Sequence, residues 1–171
     1  LEVARESGAR CAVVETRYLD RDYRSEYSAF FSRTFEGVAD SAHRVHFFGS
    51  ALRSDQIWQL PKNRGYLGYV VVRPAPHARV GRTYLAPPPT MRPFVHCAVT
   101  AKVSFFGQEL AVECVPFAQQ DTQFGRCAHV AGWVCHNTAA LRGDVSPREM
   151  ADFSMFAASR VPDHRPLPSQ G

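Results

Sequence analysis

Apolar and polar positions alternate along this chain with two different periods, and the change from one to the other divides it. Between residues 25 and 38, Tyr27, Phe30, Phe31, Thr34 and Phe35 recur at helical spacing, which predicts an amphipathic helix ending near Gly37. Short apolar runs follow. RVHFFG over residues 44–49 and GYLGYVVVR over residues 65–73 are β-branched and aromatic, and Pro74 and Pro76 end the second. GRTYL over residues 81–85 is a further strand, running into the stiff Pro87-Pro88-Pro89 connector. The plainest hairpin spans residues 95–105 and 109–115 around Phe106-Gly107-Gln108.

From Pro116 the pattern changes. Residues 116–125 (PFAQQDTQFG) are polar and loop-like, and residues 127–141 (CAHVAGWVCHNTAAL) form a small-residue apolar helix that stops before Gly143. Ser146-Pro147-Arg148-Glu149 opens another helix, with serine as cap and proline in the first turn, running to about residue 159. Residues 161–171 are rich in proline and polar groups, and no internal repeat is present. The expected fold is α+β: a β-rich region over residues 1–92, then a hairpin and helices over residues 93–171.

Composition narrows the function classes. With 171 residues, 45% hydrophobic and 21% charged, the chain has globular composition and can bury a core. No apolar stretch is long enough to span a membrane, and no basic-then-apolar segment opens the chain. It starts at Leu1, which points to a processed chain or part of a larger gene product. Net charge is +4, but Lys62 and Lys102 are the only lysines and the arginines are scattered, so a nucleic-acid partner is not expected. The arginine bias suits a GC-rich, bacterial genome. Five cysteines (Cys11, Cys97, Cys114, Cys127, Cys135) follow no disulfide or paired zinc spacing, so free thiols and a cytoplasmic setting are expected.

The segment that carries chemistry is PFAQQDTQFGRCAHVAGW, residues 116–133. A sulfur at a helix N-terminus gains acidity from the partial positive charge there, and Arg126 adds a cation. Gly125 permits a sharp turn that lets the Cys127 amide face a carbonyl. A glutamine just upstream supplies a second oxyanion donor. The small residues Ala128, Ala131 and Gly132 let the helix sit tightly against a sheet. The bland alternatives are a packed cysteine and a hydrogen-bonded loop capping the helix. Cys11, Cys97, Cys114 and Cys135 are read as inert filler. His129, Trp133 and His136 share a helical face near Cys127 and Cys135, but four convergent zinc ligands are lacking, so neither metal nor cofactor is expected. Arg73 and Arg82 are expected to pair with carboxylates rather than hold an anion.

A glutamine, a short polar loop and a cysteine opening a small-residue helix resemble the papain-like cysteine peptidases, in particular the bacterial bacteriocin-processing-peptidase-like branch. The resemblance covers residues 116–141; GYLGYVVVRP and GRTYL are similar, more weakly, to the β-rich region preceding such cores. It implies the start of a papain-like core, Cys127 as nucleophile, and Gln120 with the Cys127 amide as oxyanion donors. In the family the glutamine usually stands six residues before the cysteine; Asp121 occupies that position here. Gln120 stands seven before, with Gln119 and Gln123 as alternatives. The family's base is a histidine on a later strand, oriented by Asn or Asp. His129, His136 and His164 suit this poorly, so the base is expected beyond Gly171, or, in a permuted layout, at His46 or His96. The expected activity is cleavage of a peptide bond in a protein or peptide substrate, with the front β region contacting substrate or a regulator. The competing expectation is a catalytically degenerate protein-interaction module.

Overall fold

The computed structural model describes residues 2–29, 31–33, 37–58, 60, 65–74, 79–119, 127–150 and 152–153. Nine main elements follow in order: α1 (Glu2–Glu6), β1 (Cys11–Tyr18), α2 (Arg21–Ala29), β2 (Ala42–Phe48), β3 (Tyr66–Val72), β4 (Val80–Leu85), β5 (Val99–Phe105), β6 (Gln108–Phe117) and α3 (Cys127–Arg142). The strands pair antiparallel in the order β1-β2-β3-β4-β6-β5. The fold is therefore mixed helix and sheet.

The sheet is curled into a half-barrel. Four inter-strand steps separate β2 from β5, roughly 19 Å in a flat sheet. Yet the Arg44 guanidinium on β2 donates to the Ser104 carbonyl on β5 at 2.7 Å, and the rings of His46 and Phe105 lie 4.8 Å apart. Strict alternation on β5 explains how the concave side fills: Val99, Ala101, Val103 and Phe105 are buried while the residues between them face solvent. Tyr69, Val71, Tyr84, Val112 and Cys114 complete that core.

The predicted strands β2, β3 and β4 and the β5–β6 hairpin are all present, within a few residues. Phe105 pairs with Gln108, so the hairpin loop is two residues, Phe106 and Gly107, both at positive φ, and Gln108 already belongs to β6. The strain of a phenylalanine there is offset by edge-on packing of Phe106 with Trp58 and Phe105. Gln108 also clasps the preceding loop, donating to the Ile57 carbonyl and accepting from the Leu60 amide. The division at residues 92/93 falls between β4 and β5, and β6 pairs with β4 across it.

The helices differ more from expectation. α2 starts at Arg21, because Asp20 caps it by accepting the Tyr23 amide at 3.0 Å, and it ends by Ala29, with a short 3-10 turn at Phe31–Arg33. Phe30, Thr34 and Phe35 lie outside the described residues. α1 and β1 had no counterpart in the sequence pattern. α3 has the expected limits, with Gly143 (φ 87) ending it, but only Val130 and Trp133 of its described side chains are fully buried. Ser146 opens no helix: helical geometry begins at Met150, whose amide is met by Asp22 from α2 at 3.3 Å, while Glu149 is drawn to Arg21 at 2.6 Å. No described helix is long and apolar enough to cross a membrane.

Candidate functional site

Cys127 is the first residue of the 16-residue α3, as the sequence pattern requires. Its side chain, and Gln120, Asp121, Gln123, Gly125 and Arg126 entirely, lie outside the described residues. The elements on either side are β6 and α3. Beyond β6 the chain continues along β4: the Gln119 amide donates to the Val80 carbonyl at 2.9 Å, and the Gln119 side-chain carbonyl accepts the Val80 amide at 3.1 Å. This glutamine therefore acts as a splice, extending the ladder by one residue.

On the other side, Ala118, Val130, Trp133 and Met150 form one buried cluster. Ala118 closes the β6 arm and Val130 sits in the first turn of α3, so the cluster joins the end of β6 to the start of α3. Trp133 is 1% exposed, and its indole nitrogen has no partner among the described residues. The small residues act differently from expectation. Ala131 faces solvent, and Gly132 lies under the Phe153 ring, where an added Cβ would come within 2.6 Å of that ring rather than of the sheet. Asn137 ties α3 to the sheet by donating to the Tyr84 hydroxyl at 2.7 Å.

The described histidines are placed for other tasks. His136 donates through Nε2 to the Ser146 carbonyl at 3.0 Å, and His129 is half-buried with Nδ1 unpartnered among the described residues. His96 is exposed ahead of β5. His46 is completely buried inside the half-barrel, between the Tyr66 hydroxyl (2.8 Å from Nδ1) and Glu15 (3.2 Å from Nε2). Those two bonds satisfy a neutral imidazole: Nε2–H donates to Glu15, and Tyr66 donates to Nδ1. Burial, reinforced by Arg44, pushes the His46 pKa down to about 4 against the pull of Glu15. Both ring nitrogens of His46 are thus engaged within the core. His164 lies outside the described residues.

Among the other cysteines the filler reading holds only for Cys114. Cys97 and Cys135 are exposed, Cys11 is half-buried, and all four are free thiols. Burial pushes the Cys114 thiol up to about 12. Cys114 is thus expected to resist iodoacetamide in the native protein while Cys97 and Cys135 are alkylated, and to react only in denaturant; mass spectrometry of the digest shows which. Labelling of native Cys114 at the rate of Cys135 would contradict this packing.

Arg73 and Arg82 pair with α2 as expected, with Glu26 at 2.6 Å and Asp22 at 2.7 Å. No group of three or more metal-ligating side chains occurs among the described residues. Comparison of the chain with protein-family models, with curated proteins and with solved structures finds no match.

Proposed function

We propose that this chain carries the nucleophile end of a papain-like thiol hydrolase that cleaves a peptide bond through the Cys127 thiolate. The observation that carries this reading is the buried cluster of Ala118, Val130, Trp133 and Met150. It brings the end of the β6 arm and the first turn of α3 into one buried cluster, and Cys127 opens that helix. The first amides of α3 have no partner within the helix and offer donors and positive potential to a thiolate and an oxyanion.

In the proposed reaction the Cys127 sulfur attacks the carbonyl carbon of a peptide or protein substrate. The carbonyl oxygen takes up negative charge between the Cys127 amide and the Gln120 side chain. The amine leaves with a proton, and water then releases the acyl group from sulfur. A histidine base is assigned to His164 or to chain beyond Gly171, since His46, His96, His129 and His136 have the placements described. The half-barrel would offer its outer face to substrate or to a protein regulator. No cofactor or nucleic acid enters the scheme, and a cytoplasmic site suits a free nucleophilic thiol.

Alkylation at pH 6 tests the nucleophile. Cys127 is expected to react at least tenfold faster than Cys97 and Cys135, as roughly one unit of lowered thiol pKa would give. In the full-length protein Cys127→Ala should abolish peptide cleavage with the fold retained. Uniform slow labelling would sink the hydrolase reading. It would favour the degenerate interaction module, which the placement of the described histidines already supports.

A further inference from the structure

Between the concave face of the sheet and the C-terminal half of α3 lies a cavity of about 330 Å³. That is the lower end of the range for small-molecule sites. Its polar lining comes from Tyr18, Arg44, Tyr69, Arg82, Tyr84 and Asn137. Arg21, Lys102 and Arg148 add positive charge at its edges, and no carboxylate is among the lining residues. The acids that hold these cations stand behind them: Glu15 on Arg44, Asp22 on Arg82, Glu149 on Arg21 and Glu109 on Lys102.

Several donors on this surface are unspent. Asp22 occupies Nε and Nη2 of Arg82, leaving Nη1 unengaged among the described residues. The Tyr69 hydroxyl has no partner among the described residues. The hydroxyls of Tyr18 and Tyr84 accept bonds from Arg44 and Asn137, so each keeps its own proton to give. Burial raises the pKa of all three tyrosines, which keeps them as neutral donors. Arg82 stays charged, because Asp22 and Asp20 outweigh the cost of its burial. The remaining walls include Val103, Ala140, Leu141 and Pro147, which offer an apolar bed.

A cavity rich in donors and cations, poor in acceptors and partly apolar selects a ligand with the opposite pattern. We infer that this cavity binds a small organic oxyanion, a phosphate or carboxylate ester-sized molecule, with its charged head against Arg82 and the tyrosine hydroxyls. Asn137 lies ten residues along α3 from Cys127, about 15 Å of helix, so this site is separate from the proposed nucleophile. It stands whether or not Cys127 is catalytic.

Thermal unfolding and calorimetric titration of the intact chain with phenyl phosphate, benzoate and inorganic phosphate test the assignment. At least one of the two aromatic anions should raise the melting temperature and bind more tightly than inorganic phosphate. Preference for phenyl phosphate marks a phosphoryl ligand, and preference for benzoate a carboxylate. Tyr69→Phe removes a hydroxyl that holds nothing else in the described fold, so it should leave stability intact and weaken binding about tenfold. Lys102→Gln, at an exposed rim position, should weaken binding severalfold and flatten its salt dependence. Absence of binding by all three anions at about 10 mM, far weaker than a built site gives, overturns the inference. So does binding that both substitutions leave unchanged.

Discussion

Replacing Gly68 with alanine is expected to cost more than about 4 kcal/mol and to abolish the cooperative unfolding transition or shift it far toward zero denaturant. Gly68 lies inside β3, paired with Phe47 on one side and Leu85 on the other, at φ +109. Two costs add there. An L-residue is strained at that φ. Its Cβ would also overlap the Tyr84 carbonyl oxygen, and would lie 2.8 Å from the Tyr84 carbonyl carbon and 2.9 Å from the Leu85 Cα. These are backbone atoms of β4, so relief requires separating two central strands. Gly107 provides the control. It has a comparable φ of +80 at the hairpin tip, but a Cβ there meets nothing within 4 Å. Gly107→Ala should cost about 1 kcal/mol, from backbone strain alone. Urea denaturation followed by circular dichroism compares the two; equal costs would mean that β3 and β4 do not approach so closely at Gly68.

The contrast between these glycines shows what the pattern of residues could and could not reveal. The β5–β6 hairpin was legible because β5 keeps one face buried, so period two survives in the sequence. GYLGYVVVR reads as a strand from its β-branched run, yet nothing in it discloses that Gly68 meets backbone rather than turning. β1 escaped notice because its inward face carries Glu15 while Val14 is exposed, the reverse of the usual code. Glu15 faces inward because Arg44 and His46 wait there, a long-range fact that no local window contains. The start of α2 was available locally: Asp20, with Asp22 in the first turn, is a cap signal, but the aromatic run after Ser25 drew the helix downstream. At the candidate site, the helix opening at Cys127 and its stop at Gly143 were legible from glycine and small-residue placement. The return of α3 onto Ala118 was not, since it depends on how β6 extends along β4 through Gln119. The cationic cavity was hidden for the same reason: its residues come from β1, α2, β2, β3, β4, β5, α3 and the segment after α3.

His46→Leu should make the protein less stable at pH 7 by about 2–3 kcal/mol, and that deficit should vanish on acidification. At neutral pH the substitution removes a bond to Glu15 and leaves the half-buried Tyr66 hydroxyl without its His46 acceptor. The pH dependence follows from the direction of the shift. His46 titrates near 4 in the folded chain and near its ordinary 6.5 in the unfolded one. Below 6.5 the unfolded state takes up the proton first, so the contribution of His46 is complete above pH 6.5 and is lost as pH falls toward 4. Over that interval the wild-type advantage should shrink by about 3 kcal/mol, from some 2.5 pKa units at 1.36 kcal/mol each. Two other groups titrate nearby with their own signs. Glu15 is held below its usual range despite burial, through Arg44 and His46, so its loss comes at lower pH. Burial pushes Asp22 up to about 6 against the pull of Arg82, so acidification stabilises the fold there and masks His46 in the wild type alone. Asp22, on α2, is present in both proteins and accepts from Arg82 and the Met150 amide rather than from His46, so it drops out of the difference. Urea titrations of both chains at pH 4.5, 5.5, 6.5 and 7.5 give that difference directly. A gap that stays constant across the series would mean that the imidazole is not held neutral between Glu15 and Tyr66, and the polar centre of the half-barrel would need another account.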